Sequence, residues 1–455
     1  MSTTDSQDGQ VEQQEQRAAA AAAAAAGTRL DPWRSSYAGR AHHLRASEVR
    51  SLFAVANRPE VVSLAGGMPN IADLPLGNLG DMIGRIVAES GTRALQYGGG
   101  QGEEELREQI VEVMRYSAMH AHPDDVVVTT GSQQALDLVT GIFIDPGDVI
   151  VAEAPSYVGA LGVFRSYQAD VVHVPMDDHG LIPEELERIL GELKAAGRTV
   201  KLLYTVPNFH NPAGVTLTLE RRPRIVEIAR RHGVLIMEDD PYGLLGFDSD
   251  PLPALKSYDE DAVVYLGSFS KTFAPGLRVG WAYAPLAVRE KLVLAAESAI
   301  LSPSVINEMI VTRYLQEFDW YGQVKSFREM YRERRDAMLG ALGEHLPHLS
   351  WTVPTGGFYT WLTLPRGLDA KAMLPRAVTN RVAYTSGTAF FADGTGQDHI
   401  RLSYCFPTPE RIREGVRRLA DVVRAESDLV EMFGTADDIP TPGERTIDVP
   451  GADAS

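Results

Sequence analysis

The stretch GSFSKTFAPGLRVGW, Gly267–Trp281, gathers an amine, three hydroxyls and a guanidinium. Lys271 stands between Ser270 and Thr272, with Ser268 before them and Arg278 after. An amine in that company supports three chemistries: a nucleotide-binding loop, an amine that captures an electrophile, or a solvated surface lysine. A phosphate-binding P-loop needs glycine directly before its Lys-Thr pair and again five residues earlier. Those positions hold Ser270 and Tyr265, which removes the nucleotide loop. GGGQG at Gly98–Gly102 is no dinucleotide fingerprint either, because Glu103 stands where the third glycine belongs.

The electrophile reading makes further demands that the sequence can answer. A lysine amine condenses with an aldehyde, and the chief aldehyde cofactor is pyridoxal 5′-phosphate (PLP), whose ring withdraws electrons from an amino-acid α-carbon. Its phosphate needs hydroxyls, a helix N-terminus and a cation. Ser268, Ser270 and Arg278 offer them, and Ser132 and Gln133 follow Gly131 at a strand-to-helix turn. The pyridine nitrogen stays protonated only beside a carboxylate, and Asp239 closes the run VLIMED. Asn211 and Tyr242 are candidate donors to the ring's 3′-oxygen, and Tyr157 is a flat partner for the ring. Each of these signals is weak alone: EDDPY usually reads as a turn with solvated acids, and NPAG as a plain turn. Their order along the chain gives them weight.

The elements that must carry these residues are short apolar runs alternating with helical spacing. DVVVTTG, DVIVAEAPSY, VKLLYTVPNFHNPAG, VLIMEDDPY, AVVYLGSFSK and RVGWAYA read as strands. SQQALDLVTGIF reads as a helix with Ser132 as its N-cap, and RRPRIVEIARRHG as a helix closed by Gly233. Apolar strands alternating with helices predict a parallel or mixed sheet covered on both faces; six runs are legible, and the expected large domain holds a mostly parallel sheet of seven strands. The candidates all fall at strand ends, where open α/β sheets bind ligands. Beyond residue 290 a long helical region runs to about Leu346. LSWTVPTGGFYTWLTLP then reads as strand, turn and strand, and HIRLSYCF as another strand, which predicts a smaller α+β domain.

The chain has 455 residues, 44% of them apolar, enough for such a core. Its net charge is −18, and Glu426–Ser455 alone holds 8 acids against 1 base. No basic patch points to nucleic acid, and no apolar run reaches the ~18 residues of a membrane span. The single cysteine, Cys405, fits a reducing, cytoplasmic compartment. Acids and glutamines rather than a basic segment precede the alanine run Ala18–Ala26, which argues against a signal peptide. His42, His43 and His210 have no third ligand at metal-site spacing, so no metal is expected.

With these motifs in order, and with VVSLAGGMPN, ALQYGGGQGEEELR, TGSQQALDL, EAPSYVGAL and PTGGFYTWL beside them, the chain resembles the fold-type I PLP-dependent aminotransferases of class I/II. It is most similar to the 2-aminoadipate/kynurenine branch, over about residues 46–430. The resemblance implies that Lys271 forms the Schiff base and that Ser132, Gln133, Ser268, Ser270 and Arg278 hold the phosphate. It implies that Tyr157 stacks, that Asn211 and Tyr242 serve the 3′-oxygen, and that Asp239 pairs with the ring nitrogen. It adds Arg401, in IRLSY, as the clamp on the substrate α-carboxylate, and Gly66 and Gly67 as a loop passing close over the substrate. It also adds Tyr97, reaching the phosphate of a neighbouring subunit, which implies a homodimer with shared sites, and Arg50, on an N-terminal helix facing the substrate side chain. The expected reaction is ping-pong exchange of an amino group between an L-amino acid and a 2-oxo acid, 2-oxoglutarate by expectation. A lyase or decarboxylase on the same fold is the alternative. A non-catalytic regulator is disfavoured because no helix-turn-helix pattern precedes Arg45. The expected organisation is a disordered extension over residues 1–45, an arm over 46–75, a PLP-binding domain over 76–315, a small domain over 316–430 and an acidic tail over 431–455.

Overall fold

The strands form where apolar residues occupy both faces of the chain, and the two faces enter different cores. Ile150, Ala152, Leu202, Tyr204, Met237 and Val264 pack into one hydrophobic cluster, while Val149, Val151, Leu203, Ile236 and Val263 pack into another on the opposite face. This period of two is that of a sheet buried between two layers of helices. The computed structural model describes residues 31–44, 58–72 and 74–433. The chain divides into two units, residues 1–45 and 46–455. Within the first, Arg34–Ser36 and Gly39–His43 form short 3₁₀ turns.

In the second unit the strands are β1 (Val62–Ser63), β2 (Val126–Thr129), β3 (Val149–Ala154), β4 (Asp170–Asp177), β5 (Gly180–Leu181), β6 (Val200–Thr205), β7 (Leu235–Asp239), β8 (Val263–Ser268), β9 (Gly280–Tyr283), β10 (Ser350–Trp351), β11 (Tyr359–Thr363), β12 (Val382–Ala383), β13 (Thr385–Ser386) and β14 (His399–Ser403). The large sheet has the order β2-β9-β8-β7-β6-β3-β4-β5. Pairs β8-β7, β7-β6, β6-β3 and β3-β4 are parallel, and β9 runs against both its neighbours. The eighth strand, β5, is a two-residue edge paired antiparallel to β4, so the seven expected strands gain one short addition. Strands β2, β6, β7 and β8 therefore end on one side of the sheet.

One local expectation is corrected. Ser132 is not the N-cap of its helix. Gly131 takes that place with φ 88°, and Ser132 is the first residue of the helix Ser132–Phe143, its hydroxyl unused in capping. The long helical region is three helices, Leu286–Ile300, Val305–Glu317 and Trp320–His345. Leu301 at φ 69°, followed by Ser302 and Pro303, makes the first break. Asp319 makes the last start, accepting a hydrogen bond from the Gly322 N–H at 2.8 Å.

A second, antiparallel sheet has the order β10-β11-β14-β13, and β1 pairs in parallel with β12. The chain segment just before the large sheet is thereby tied to its C-terminal part. The helix Pro409–Phe433 packs along Trp320–His345 and buries Ile412, Val416, Leu419 and Val423.

Candidate active site

The strand ends meet at a cavity of about 370 Å³. One wall is the turn after β2 laid against the turn between β8 and β9. Two glycines permit this approach: a Cβ on Gly131 would lie 2.3 Å from the Arg278 guanidinium, and one on Gly280 would lie 2.6 Å from the Ser132 nitrogen. Arg278 itself sits at φ 53°. Its guanidinium donates to the Thr130 carbonyl at 3.1 Å and to Ser270 Oγ at 3.4 Å. Ser268 Oγ donates to Ser270 Oγ at 2.8 Å and accepts from the Ser270 N–H at 3.0 Å. Hydroxyls, a helix N-terminus and a cation thus share one exposed corner, a cradle for a phosphate.

Lys271 follows this corner. Its Nζ donates to the Gly67 carbonyl at 3.0 Å. It keeps some accessible surface where it lines the cavity, but desolvation dominates and holds the amine below the ordinary lysine range; Arg278 and Arg401 push the same way. At the end of β7, Asp239 Oδ2 accepts from Tyr204 Oη at 2.9 Å, while the buried Oδ1 has no partner. Burial pushes this carboxyl up to about 7, against the bond from Tyr204. Tyr157 lies beside it, and its hydroxyl donates to Gln133 Oε1 at 3.3 Å. Burial first, then the neighbouring Asp239 charge, pushes that hydroxyl up to about 12.

The far wall belongs to the loop after β6 and to β14. Arg401, 2% exposed, donates to Asn211 Oδ1 at 2.8 Å, to the Ala65 carbonyl and to Thr385 Oγ1 at 3.3 Å. Its Nε has no partner. The guanidinium lies 4.3 Å from the centre of the Tyr359 ring and 5.0 Å from that of Phe390. Tyr242 Oη donates to Tyr359 Oη at 3.5 Å.

The cavity therefore brings together Gly67, Ser132, Gln133, Tyr157, Asn211, Asp239, Tyr242, Ser268, Ser270, Lys271, Arg278 and Arg401. Tyr97 is not among its lining residues and is 75% exposed. Arg50 lies outside the described residues. Two residues carried no role in the sequence reading. Tyr204 reads as a core residue of β6, and only the register β6-β7 brings its hydroxyl to Asp239. Tyr359 lies in the noted motif PTGGFYTWL, but its contacts with Arg401, Tyr242 and the Gly67 loop join distant segments. A Cβ on Gly67 would lie 2.1 Å from its hydroxyl.

The donor set fits PLP. Asp239 Oδ1 is a buried acceptor lacking a donor, as a protonated ring nitrogen requires, and the Ser268–Ser270–Arg278 corner suits a dianion. The family model for aminotransferases of class I and II matches residues 74–419. The chain belongs to that family. This aminotransferase is 40% identical to aromatic-amino-acid aminotransferase 1 of Thermococcus litoralis, over 86% of its own length and 94% of the relative's. Among solved structures it is similar to a kynurenine aminotransferase of Pyrococcus horikoshii in complex with PMP, with TM-score 0.83, 38% identity, and coverage of 88% of this chain and 99% of the other. It is also similar to an α-aminoadipate aminotransferase of Thermus thermophilus complexed with N-(5′-phosphopyridoxyl)-L-leucine, with TM-score 0.81, 36% identity, and coverage of 88% of this chain and 100% of the other. The aminotransferase is an α/β enzyme of fold type I, and its cofactor is PLP.

Proposed function

We propose that this aminotransferase moves the amino group of an L-amino acid to a 2-oxo acid, 2-oxoglutarate being the acceptor, in a ping-pong exchange centred on Lys271. The observation that carries the reading is one cavity joining a desolvated amine, an unpaired buried carboxylate oxygen and a buried arginine. When bound, PLP supplies an aldehyde carbon and a ring that draws electrons from the substrate's α-carbon. Ser132, Gln133, Ser268, Ser270 and Arg278 would hold its phosphate, Lys271 its aldehyde carbon, and Asp239 its ring nitrogen. Asn211 and Tyr242 would face its 3′-oxygen, and Tyr157 would cover the ring.

Arg401 receives the substrate carboxylate, because a guanidinium binds a carboxylate through two parallel bonds. Its packing against Tyr359 and Phe390 fixes the plane of that fork. Lys271, in the neutral form favoured by desolvation, would take the proton from the substrate's α-carbon and deliver it to the cofactor's aldehyde carbon within the same half-reaction, and would run the reverse transfer when the 2-oxo acid is bound. Amino donor and oxo acceptor both carry an α-carboxylate, so one arginine serves both in turn, which is the physical basis for a ping-pong order.

We read the working enzyme as a homodimer. Exposed Leu95 and Tyr97 lie on the segment that packs against Glu297, Ser302 and Val305, near exposed Leu294, Ile300 and Leu301. An exposed apolar face suits a second copy, with Tyr97 reaching its phosphate corner.

The decisive test is Lys271→Ala. The variant is expected to bind PLP with a changed absorbance spectrum and to lose turnover by at least ~100-fold. Near-normal turnover would remove Lys271 from the reaction. Single amino acids added to the loaded enzyme, followed by absorbance and by assay of the 2-oxo acid released, identify the donor. The same assay run backwards with 2-oxoglutarate checks the acceptor.

A further inference from the structure

Glu153, in β3, and His210, in the loop after β6, have side chains only 1% exposed and lie behind the wall that carries Asn211. Glu153 Oε1 accepts from Thr205 Oγ1 at 2.7 Å, and its Oε2 accepts from the Val206 N–H at 2.8 Å. The same Oε2 lies 3.1 Å from His210 Nε2, a short approach not aligned as a hydrogen bond. On its other edge, His210 Nδ1 accepts from the Ala213 N–H at 3.2 Å. A backbone amide can only donate, so Nδ1 carries no proton, and the proton of the neutral ring sits on Nε2 facing the carboxylate. The loop also closes on this residue through its backbone: His210 N–H donates to the Val215 carbonyl at 2.8 Å, and Gly214 N–H to the His210 carbonyl at 2.7 Å. The next residue is Asn211, whose Oδ1 accepts from Arg401.

We propose that Glu153 and His210 are a positioning pair that fixes the Asn211 loop against the large sheet and so sets Arg401 for the substrate carboxylate. Neither touches the reacting atoms. The pair acts because the imidazole bridges two points that nothing else on this loop joins in the same way: a carboxylate anchored to the end of β6, and the amide that turns the chain after Asn211. An apolar side chain at residue 210 leaves the Ala213 N–H without its acceptor and sets carbon in place of the imidazole N–H beside the buried Glu153 carboxylate, and the loop must shift to relieve both. Arg401 then loses the neighbour that holds one of its nitrogens. The proposal rests on the reading of Arg401 as the carboxylate clamp.

The test uses the full-length, PLP-loaded enzyme and the amino acid it turns over fastest. For His210→Leu, the KM for that donor is expected to rise about tenfold, with kcat changed less than about threefold and the cofactor spectrum retained. The deamino analogue of the donor (3-phenylpropionate if phenylalanine is the donor) should weaken in parallel when titrated by calorimetry. His210→Gln, whose amide nitrogen reaches the place of Nε2, is expected to restore KM to within about threefold. His210→Asn keeps an acceptor for Ala213 without the reach to Glu153 and should not restore it. An unchanged KM in His210→Leu overturns the pairing, as does a common loss of cofactor, kcat and KM in all three variants, which marks a merely structural histidine. If His210→Leu does not fold, Glu153→Gln carries the comparison: a raised KM supports the pair and an unchanged one overturns it. Arg401→Lys separates the two readings. No rise in KM there removes the carboxylate clamp itself; a rise there without one in His210→Leu removes only the positioning pair.

Discussion

At Asp239 two partners compete for one buried carboxyl. Tyr204 satisfies Oδ2, while Oδ1 is left without a donor and burial raises the group to about 7. A carboxyl raised in the folded chain holds a proton that the unfolded chain releases near pH ~4. Folded stability without cofactor therefore falls as the pH rises from about 4 to about 7. Glu238 and Glu308, each raised to about 7 mainly by burial, act in the same direction. Asp239→Asn removes one of the three. The difference in Tm between cofactor-free variant and wild type should thus move in the variant's favour from pH 5 to pH ~7.5. Parallel melting profiles across that range would contradict the assignment. Loading PLP should shrink the gradient in the wild type, since a protonated nitrogen beside Oδ1 favours the carboxylate. Of this residue, the sequence showed the type and the strand end; the missing partner on Oδ1 depends on what surrounds it in space.

Elements decide how near the phosphate corner's parts come to one another. Gly131 and Gly147 share a positive φ, 88° and 90°, but a Cβ on Gly131 would meet Arg278, whereas one on Gly147 meets nothing within 4 Å. Gly131→Ala and Gly147→Ala should each lower stability by about 1 kcal/mol through the left-handed backbone. Only Gly131→Ala should weaken PLP, by about tenfold in a titration of the cofactor-free enzyme, because it alone displaces the guanidinium. Equal affinities in the two variants would show that the corner tolerates the displacement. The strands themselves were legible because both their faces are apolar. The helix N-terminus was misread by one residue: a serine before an apolar run is the ordinary cap signal, and the tight approach of Gly280 in β9 to the start of this helix joins segments far apart in the chain.

For the whole molecule, the prediction concerns the surface around Tyr97. Sedimentation should give a particle of twice the 49.6 kDa chain mass. Tyr97→Phe should weaken PLP by about tenfold or more, the loss expected for a hydrogen bond to a charged group, while leaving the mass unchanged. A fully active monomer would refute the shared site. Tyr97 is exposed within one chain, so the part proposed for it would be a property of the assembly.

The sequence determined the mostly parallel sheet and the smaller α+β part through apolar periodicity, and pointed to the cofactor through residue types at strand ends and the family resemblance they carry, because these signals are local in the chain. Tertiary structure decided which partners those residues meet. Asn211 reaches Arg401 across 190 positions, Lys271 reaches Gly67 across 204, and Tyr204 reaches Asp239 across two strands in register. Such contacts are set by strand order and burial, and no spacing along the chain records them.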